Sequence, residues 1–148
     1  QDKAVLALLD QPDWNEDAGK REAVRAVLLP IAAAYMLKAK TPSGKPVDPV
    51  ARFHLGNGAR LERLNFLGDL SSRGMKQAHG LMVNYLYKLD DIETNHERFA
   101  DKGEVVAATT VRKLLRPDPA TPKPAADKNK ASKPQDKVQA ATQAKVQD

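Results

Sequence analysis

The sequence contains no cysteine, few aromatic residues and no long hydrophobic run. Without cysteine the chain can have neither a disulfide framework nor a thiolate nucleophile, and a zinc site built on cysteine is excluded. The longest apolar run, residues 26–37, is interrupted by Pro30 and is shorter than the roughly 20 residues that a membrane-spanning helix needs. We also find no signal peptide. These absences predict a cytoplasmic protein that has no membrane partner.

Charge is mixed along the chain rather than concentrated in one segment. The 148 residues include 24 Lys and Arg and 19 Asp and Glu, which gives a net charge of +5. Residues 117–148 hold six Lys and four Asp, so this segment contributes +2 and residues 1–116 contribute +3. A surface that binds DNA or RNA would need a basic stripe interleaved with aromatic residues. No such stripe occurs, and we expect no nucleic-acid partner.

The composition divides the chain into three parts. Residues 1–46 form a helical segment, in which 21–40 show the strongest helical periodicity and Pro30 predicts a kink. Residues 116–148 hold five of the ten prolines and no aromatic residue, which predicts a disordered tail. Residues 47–115 form the remaining folded part. The predicted buried stripe of the helix consists of Val24, Val27, Leu28, Ile31 and Tyr35.

Residues 47–115 show a mixture of strand and helix patterns, and therefore predict an α+β fold. Residues 81–89 carry large apolar groups on both alternating faces, which predicts a strand that is internal to the sheet. The other predicted elements are a strand at 50–55, an extended segment at 60–66, a helix at 71–79 capped by Ser71 or Ser72, a polar connector at 90–103 and a closing helix at 104–115.

One histidine, His54, lies just before the turn signal Gly56-Asn57-Gly58. Histidine side chains titrate near neutral pH, which suits proton transfer in catalysis. A histidine that is simply hydrogen-bonded beside a turn would have the same sequence context, so the residues alone leave both interpretations open. His96 has no second ligand cluster at metal-binding spacing. We therefore interpret it as a connector histidine that caps the next segment, and we expect no metal.

Four segments, taken together, resemble the C-terminal end of the malonyl-CoA decarboxylases. They are DPVARFHLGNGA, LERLNFLGDLS, GLMVNYLY and IETNHERF, and LLPIAAAYMLKAK resembles the helix that leads into them. The resemblance implies that 47–115 are the C-terminal half of a catalytic domain similar to the GNAT acetyltransferases, which hold acyl-CoA against a mixed sheet. The family's catalytic serine, in an SPIPGF-like segment, and its CoA-pyrophosphate segment do not occur in this sequence. We therefore expect a piece of a longer enzyme that is inactive alone.

The resemblance also implies an activity, the conversion of malonyl-CoA to acetyl-CoA and carbon dioxide. Such a catalyst must stabilise an enolate and then deliver a proton to carbon. No cofactor is expected, because the thioester itself accepts the electrons. By resemblance His54 is the histidine of the family's Ser–His dyad, and Tyr87 matches an active-site tyrosine. Tyr85 shares the face of Tyr87, and periodicity does not separate the two.

Three further residues are candidates for substrate binding: Asn57, Asn84 and Arg73. Asn57 could instead serve the turn, and Asn84 lies on the opposite strand face from the tyrosines. Arg73, like Arg60 and Arg63, could meet CoA phosphates or be simply exposed. We expect the intact enzyme to be a homo-oligomer. Two alternatives remain: a GNAT-type acyltransferase, and a non-enzymatic docking or oligomerisation module that uses the helix at 21–40.

Overall fold

The computed structural model describes residues 1–117. Most of the predicted disordered tail, residues 118–148, lies outside the described residues. Within 1–117 the chain forms six α-helices and a two-stranded antiparallel sheet, which confirms the α+β class. The elements are α1 Asp2–Leu6, α2 Ala18–Lys38, α3 Pro49–Gly56, β1 Arg60–Asn65, α4 Ser72–Ala78, β2 Met82–Leu86, α5 Ile92–Lys102 and α6 Thr109–Arg112, with short 3₁₀ turns at Ala7–Asp10 and Leu89–Asp91.

Helix α2 is a single helix that contains Pro30, and the kink expected there stays a prediction. The Asp17 side chain caps it by accepting a hydrogen bond from the backbone N–H of Lys20 at 2.8 Å. The predicted buried stripe is only partly correct, because Ile31 and Tyr35 are 43% and 42% exposed. Apolar residues surround the second half of the helix, so periodicity does not select the buried face there. The residues that α2 buries are Val24, Val27, Leu29, Ala32, Ala33 and Met36.

Strands β1 and β2 pair in register through Leu61 with Tyr85 and Leu64 with Val83, with an irregularity between Leu61 and Arg63. Both strands were predicted. The expectation that β2 is internal is wrong for the described residues, since there β2 pairs with β1 alone. An alternating sequence pattern shows that both faces of a strand carry apolar side chains. It does not show which other segments cover those faces or pair with the strand.

Helix α3 replaces the strand predicted at 50–55. Its first position is Pro49, and the Asp48 side chain accepts a hydrogen bond from the Ala51 N–H at 2.8 Å. A Pro directly after a capping Asp is typical of a helix start. Six mostly apolar residues fit a buried strand and a short helix equally well, and here the start signal decides between them.

The region after β2 also differs from the prediction. Residues 90–103 are not a connector, because helix α5 occupies most of them and ends at Gly103 with φ +60°. The closing helix predicted over 104–115 is reduced to α6. Before α6, the chain runs extended beside β1. The Leu61 N–H donates to the Val106 carbonyl at 2.9 Å, and the Ala108 N–H donates to the Leu61 carbonyl at 2.9 Å.

The core lies between α2, α3 and one face of the sheet, and residues after α5 close it. Leu55 of α3 and Leu61 of β1 are 2% and 0% exposed. Because α3 packs on the sheet through this core, its position relative to β2 is fixed. The other core residues are Leu29, Ala32, Ala33, Met36, Ala51, Leu64, Val105 and Val111.

Candidate active site

His54 lies in the last turn of α3 and is half-buried. Its neighbours Ala51 and Leu55 are buried in the core, so α3 is held firmly along the side that adjoins the sheet. This packing directs the imidazole ring toward the C-terminal half of β2. Burial of apolar neighbours thus orients a polar group that is itself partly open to solvent.

The imidazole ring of His54 contacts two tyrosines of the Asn84-Tyr85-Leu86-Tyr87 segment. Its Nδ1 atom lies 2.8 Å from the Tyr87 hydroxyl oxygen, which is a hydrogen bond. Its ring stacks on Tyr85, with centroids 4.3 Å apart and planes inclined by 19°. Phe53 meets it edge-on at 5.2 Å. The hydrogen bond and the stack together fix the ring, and within residues 1–117 the Nε2 atom makes no hydrogen bond.

The two tyrosines differ in what they offer to His54. Tyr85 is partly buried and supports the ring by its face, whereas Tyr87 is 43% exposed and makes the hydrogen bond. Burial raises the pKa of the Tyr85 hydroxyl to about 12, and the charge of Asp48 adds to this rise, followed by Tyr35 and Tyr87. Tyr85 is therefore neutral in the physiological range and cannot serve as a base there.

Within the described residues, the side chains of the three candidate substrate-binding residues make no hydrogen bond with the side chains of His54 and Tyr87. Asn57 is exposed at the end of α3 with φ −92°, and the positive φ of this turn belongs to Gly58 at +87°. Arg73 is exposed on α4 beside Asp69, whose pKa is lowered mainly by its hydrogen bonds to Ser71 and slightly by Arg73. Within residues 1–117, no side chain of the three candidates makes a hydrogen bond or an ion pair with the His54 side chain, although the backbone N–H of Asn57 donates to the His54 carbonyl at 3.2 Å.

Asn84 faces away from His54. Its side-chain oxygen accepts a hydrogen bond from Asn65, and it lines a cavity of about 590 Å³. Its polar wall carries two arginines and one glutamate, and the rest of the lining is largely apolar. Its other lining residues are Arg25, Leu29, Glu62, Arg63, Leu64, Tyr85, Leu86, Thr110, Val111 and Leu114.

Two residues of α5, which the sequence interpretation had not connected with the site, bind the turn that follows His54. The His96 Nδ1–H donates to the Gly56 carbonyl at 2.6 Å, and the Asn95 side-chain N–H donates to the Gly58 carbonyl at 3.1 Å. The expectation that His96 caps the next segment is therefore wrong, since it binds the end of the preceding helix. The segment IETNHERF has the residue spacing of a helix with one buried face, but its charged residues make it resemble a loop.

Comparison with known proteins decides the family. The sequence model for the malonyl-CoA decarboxylase C-terminal domain matches residues 1–125. This chain belongs to that family. The family prediction made from the four sequence segments is thereby confirmed.

Named relatives of this chain are much longer than it is. The mitochondrial malonyl-CoA decarboxylase of Anser anser anser is 36% identical over 109 residues, which are 74% of this chain and 21% of the relative. The rat protein of the same name, from Rattus norvegicus, is 30% identical over 113 residues, 76% of this chain and 23% of the relative. The chain therefore spans under a quarter of the length of these relatives.

Solved malonyl-CoA decarboxylase structures share the fold. The protein from Rhodopseudomonas palustris aligns with a TM-score of 0.73 at 58% identity, over 76% of this chain and 26% of that chain. The protein from Agrobacterium vitis gives 0.73 at 62% identity, over 77% of this chain and 28% of that chain.

The predicted cytoplasmic location requires correction. The curated relatives from goose, rat and mouse are all named as mitochondrial proteins. The absence of cysteine does not identify a compartment, because proteins of many compartments share it. Within residues 1–117, no helix is both long and apolar enough to span a bilayer.

Proposed function

We propose that the protein containing this chain decarboxylates malonyl-CoA to acetyl-CoA and carbon dioxide, in fatty-acid metabolism. The observation that carries the proposal is the His54 ring, fixed through Nδ1 by Tyr87, in a chain of the malonyl-CoA decarboxylase family. A ring fixed at one nitrogen directs its other nitrogen to a reacting group, which is the usual arrangement of a catalytic histidine.

Decarboxylation breaks the bond between the malonyl carboxylate and the α-carbon. The bonding electrons pass to the thioester as an enolate, whose charge must be stabilised, and a proton must then reach the α-carbon. When the His54 Nδ1–H donates to the Tyr87 oxygen, Nε2 is the basic nitrogen. In this tautomer Nε2 can take the proton of a serine hydroxyl, which regains a proton from water, and pass it to the α-carbon, so that one solvent proton replaces the lost carbon dioxide. The substrate thioester accepts the electrons, so the proposed reaction requires neither a metal nor an organic cofactor.

The serine partner is proposed to lie in an upstream region of the same enzyme. Two features support this: the family's SPIPGF-like segment is absent from the sequence, and the chain spans only about a quarter of its relatives. Large apolar side chains are also exposed, with Phe53 next to His54 at 65% and Leu89, two residues after Tyr87, at 87%. Residues 47–115 would then be the C-terminal half of a GNAT-like domain, preceded by the helical segment 1–46 and followed by the tail 116–148. Residues 1–148 alone would be inactive.

Substrate contacts are proposed at Asn57, Asn84 and Arg73. Asn57 supports this by its exposure three residues beyond His54 in the chain. Asn84 shares its cavity with Arg25, which gives a cationic wall suited to a phosphate. Malonyl-CoA is the proposed ligand, with no nucleic acid or membrane partner, and the intact enzyme is proposed to be a homo-oligomer.

The test is the release of acetyl-CoA from malonyl-CoA by the intact protein, by residues 1–148 alone, and by the intact His54→Ala variant. We expect activity in the intact protein, none in residues 1–148, and a loss of roughly 10²- to 10⁴-fold in His54→Ala. His79→Asn is the control, because His79 is a helix-terminal residue with φ +50° and Asn tolerates that conformation. Full activity in His54→Ala would refute the proposed role, and transfer of acetyl from acetyl-CoA to an amine acceptor would favour the acyltransferase instead.

A further inference from the structure

Helix α5 presents one continuous stripe to the turn at the end of α3. The stripe consists of Ile92, Asn95, His96 and Phe99, at the i, i+3, i+4 and i+7 positions of one helix face. Asn95 is 6% exposed and is the only buried polar side chain among the described residues. Burying an amide group costs free energy unless it is hydrogen-bonded. The Asn95 side chain meets this requirement by donating to the Gly58 carbonyl.

The carbonyl groups at the end of α3 show what His96 contributes. The last four carbonyls of a helix have no donor inside the helix. Those of Phe53 and His54 accept from the Asn57 N–H, and that of Leu55 accepts from the Gly58 N–H at 3.1 Å. The fourth carbonyl, that of Gly56, accepts a hydrogen bond from the His96 Nδ1–H at 2.6 Å. A side chain of α5 thus completes the end of the helix that carries His54.

The turn itself has little room to move against α5. Gly58 has φ +87°, and a Cβ atom placed there would lie 2.7 Å from Ile92 Cγ2 and closer still to the Ile92 carbonyl oxygen. After the turn the chain enters β1, where Leu61 pairs with Tyr85. The position of the turn therefore sets the distance between the His54 ring on α3 and the tyrosines on β2.

From these contacts we infer that Asn95 and His96 are positioning residues, which hold the Gly56–Gly58 turn and thereby keep His54 against Tyr85 and Tyr87. Neither residue touches His54, and both act through the backbone of the turn. The effect on rate rests on the proposed decarboxylase function, whereas the effect on the His54 ring does not. Misplacement of a catalytic group by about 1 Å can cost as much as 10²-fold in rate.

The decisive pair of variants is His96→Ala and His96→Asn. Alanine removes the donor, whereas the side-chain NH₂ of asparagine occupies nearly the place of Nδ1 and can still donate to the Gly56 carbonyl. His96 is exposed, so both variants are expected to fold. We expect kcat of the intact enzyme to fall roughly 10-fold in His96→Ala with KM nearly unchanged, and to recover in His96→Asn. His79→Asn is the matched control and should leave kcat unchanged.

The second readout is the ring of His54, followed by long-range ¹H–¹⁵N NMR of the imidazole nitrogens in residues 1–148 with the same substitutions. With three histidines in residues 1–148, the His54→Ala, His96→Ala and His79→Asn variants assign every signal. We expect His96→Ala and Asn95→Ala to shift the His54 nitrogens toward those of a free imidazole, and His96→Asn to restore them. Unchanged His54 signals in both alanine variants would overturn the inference. If the wild-type enzyme shows no decarboxylation, the proposed function fails, and the NMR result still decides the positioning role.

Discussion

At the scale of single residues, the most informative contact is the hydrogen bond between His54 Nδ1 and the Tyr87 hydroxyl. Tyr87→Phe keeps the ring and removes only this bond, so the imidazole loses the partner that selects its tautomer. We expect kcat/KM of the intact enzyme for malonyl-CoA to fall roughly 10- to 100-fold, within the range of general acid–base effects. Tyr85→Phe is the matched control, because the stacked ring is retained. A larger loss in Tyr85→Phe than in Tyr87→Phe would assign the catalytic hydroxyl to Tyr85.

Tyr85 also gives a prediction about stability at high pH. Burial raises its pKa from 10.0 to about 12, so the folded chain retains this proton more strongly than the unfolded chain does. The stabilising effect is complete below pH 10 and is lost as the pH rises through about 12. Because Tyr85 is only partly buried, solvent screening keeps the effect well below the roughly 2.7 kcal/mol that two pKa units represent.

The measurement is urea denaturation of residues 1–148 and of Tyr85→Phe at several values between pH 9 and 12. We expect the free energy of unfolding of the wild type to fall more steeply with pH than that of Tyr85→Phe across this interval. Other groups also titrate in this range, but both proteins share them, so the difference between the two curves isolates Tyr85. Parallel curves for the two proteins would show that the Tyr85 hydroxyl has the same pKa in the folded and unfolded chains.

At the scale of secondary-structure elements, sequence reasoning located β1, β2, α2 and α4, because each has a long periodic pattern or a clear capping residue. It failed at α3, where the short run at 50–55 fits both a strand and a helix and the signal of Asp48 and Pro49 was overlooked. It also failed at α5, whose charged residues resemble those of a loop. His54 and Tyr87 were singled out by family resemblance, whereas Asn95 needed the tertiary contact with Gly58.

The packing of α5 on the turn can be tested with two glycines that share a positive φ. Gly58→Ala meets both an unfavourable φ of +87° and the Ile92 backbone, whereas Gly44→Ala, at φ +79°, has open space around its Cβ. We expect Gly44→Ala to cost about 1 kcal/mol of unfolding free energy and Gly58→Ala about 2–4 kcal/mol. Urea denaturation of residues 1–148 measures both. Equal losses would mean that α5 moves away from the turn at no cost.

At the scale of the whole molecule, the chain spans about a quarter of its relatives, and the side of α3 and β2 around His54 is open. Val50 is 54% exposed, Phe53 65% and Leu89 87%. Large apolar side chains grouped in this way are typical of a surface that another part of a protein covers.

A double variant tests whether the upstream region of the enzyme covers this surface. Val50→Ser with Leu89→Ser removes apolar area beside the site without touching the His54–Tyr87 pair, and Leu70→Ser, at 61% exposed, is the control elsewhere on the chain. Because all three residues are exposed, we expect each protein to unfold in urea within about 0.5 kcal/mol of the wild type when residues 1–148 are studied alone. The binding measurement is a titration of residues 1–148 with the separately produced upstream region. We expect the double variant to bind roughly 10-fold more weakly than the wild type, because removing an interface contact worth above 1 kcal/mol has an effect of this size. Leu70→Ser should bind as the wild type does. Equal affinity of the double variant and the wild type would show that the upstream region approaches His54 without contacting Val50 and Leu89.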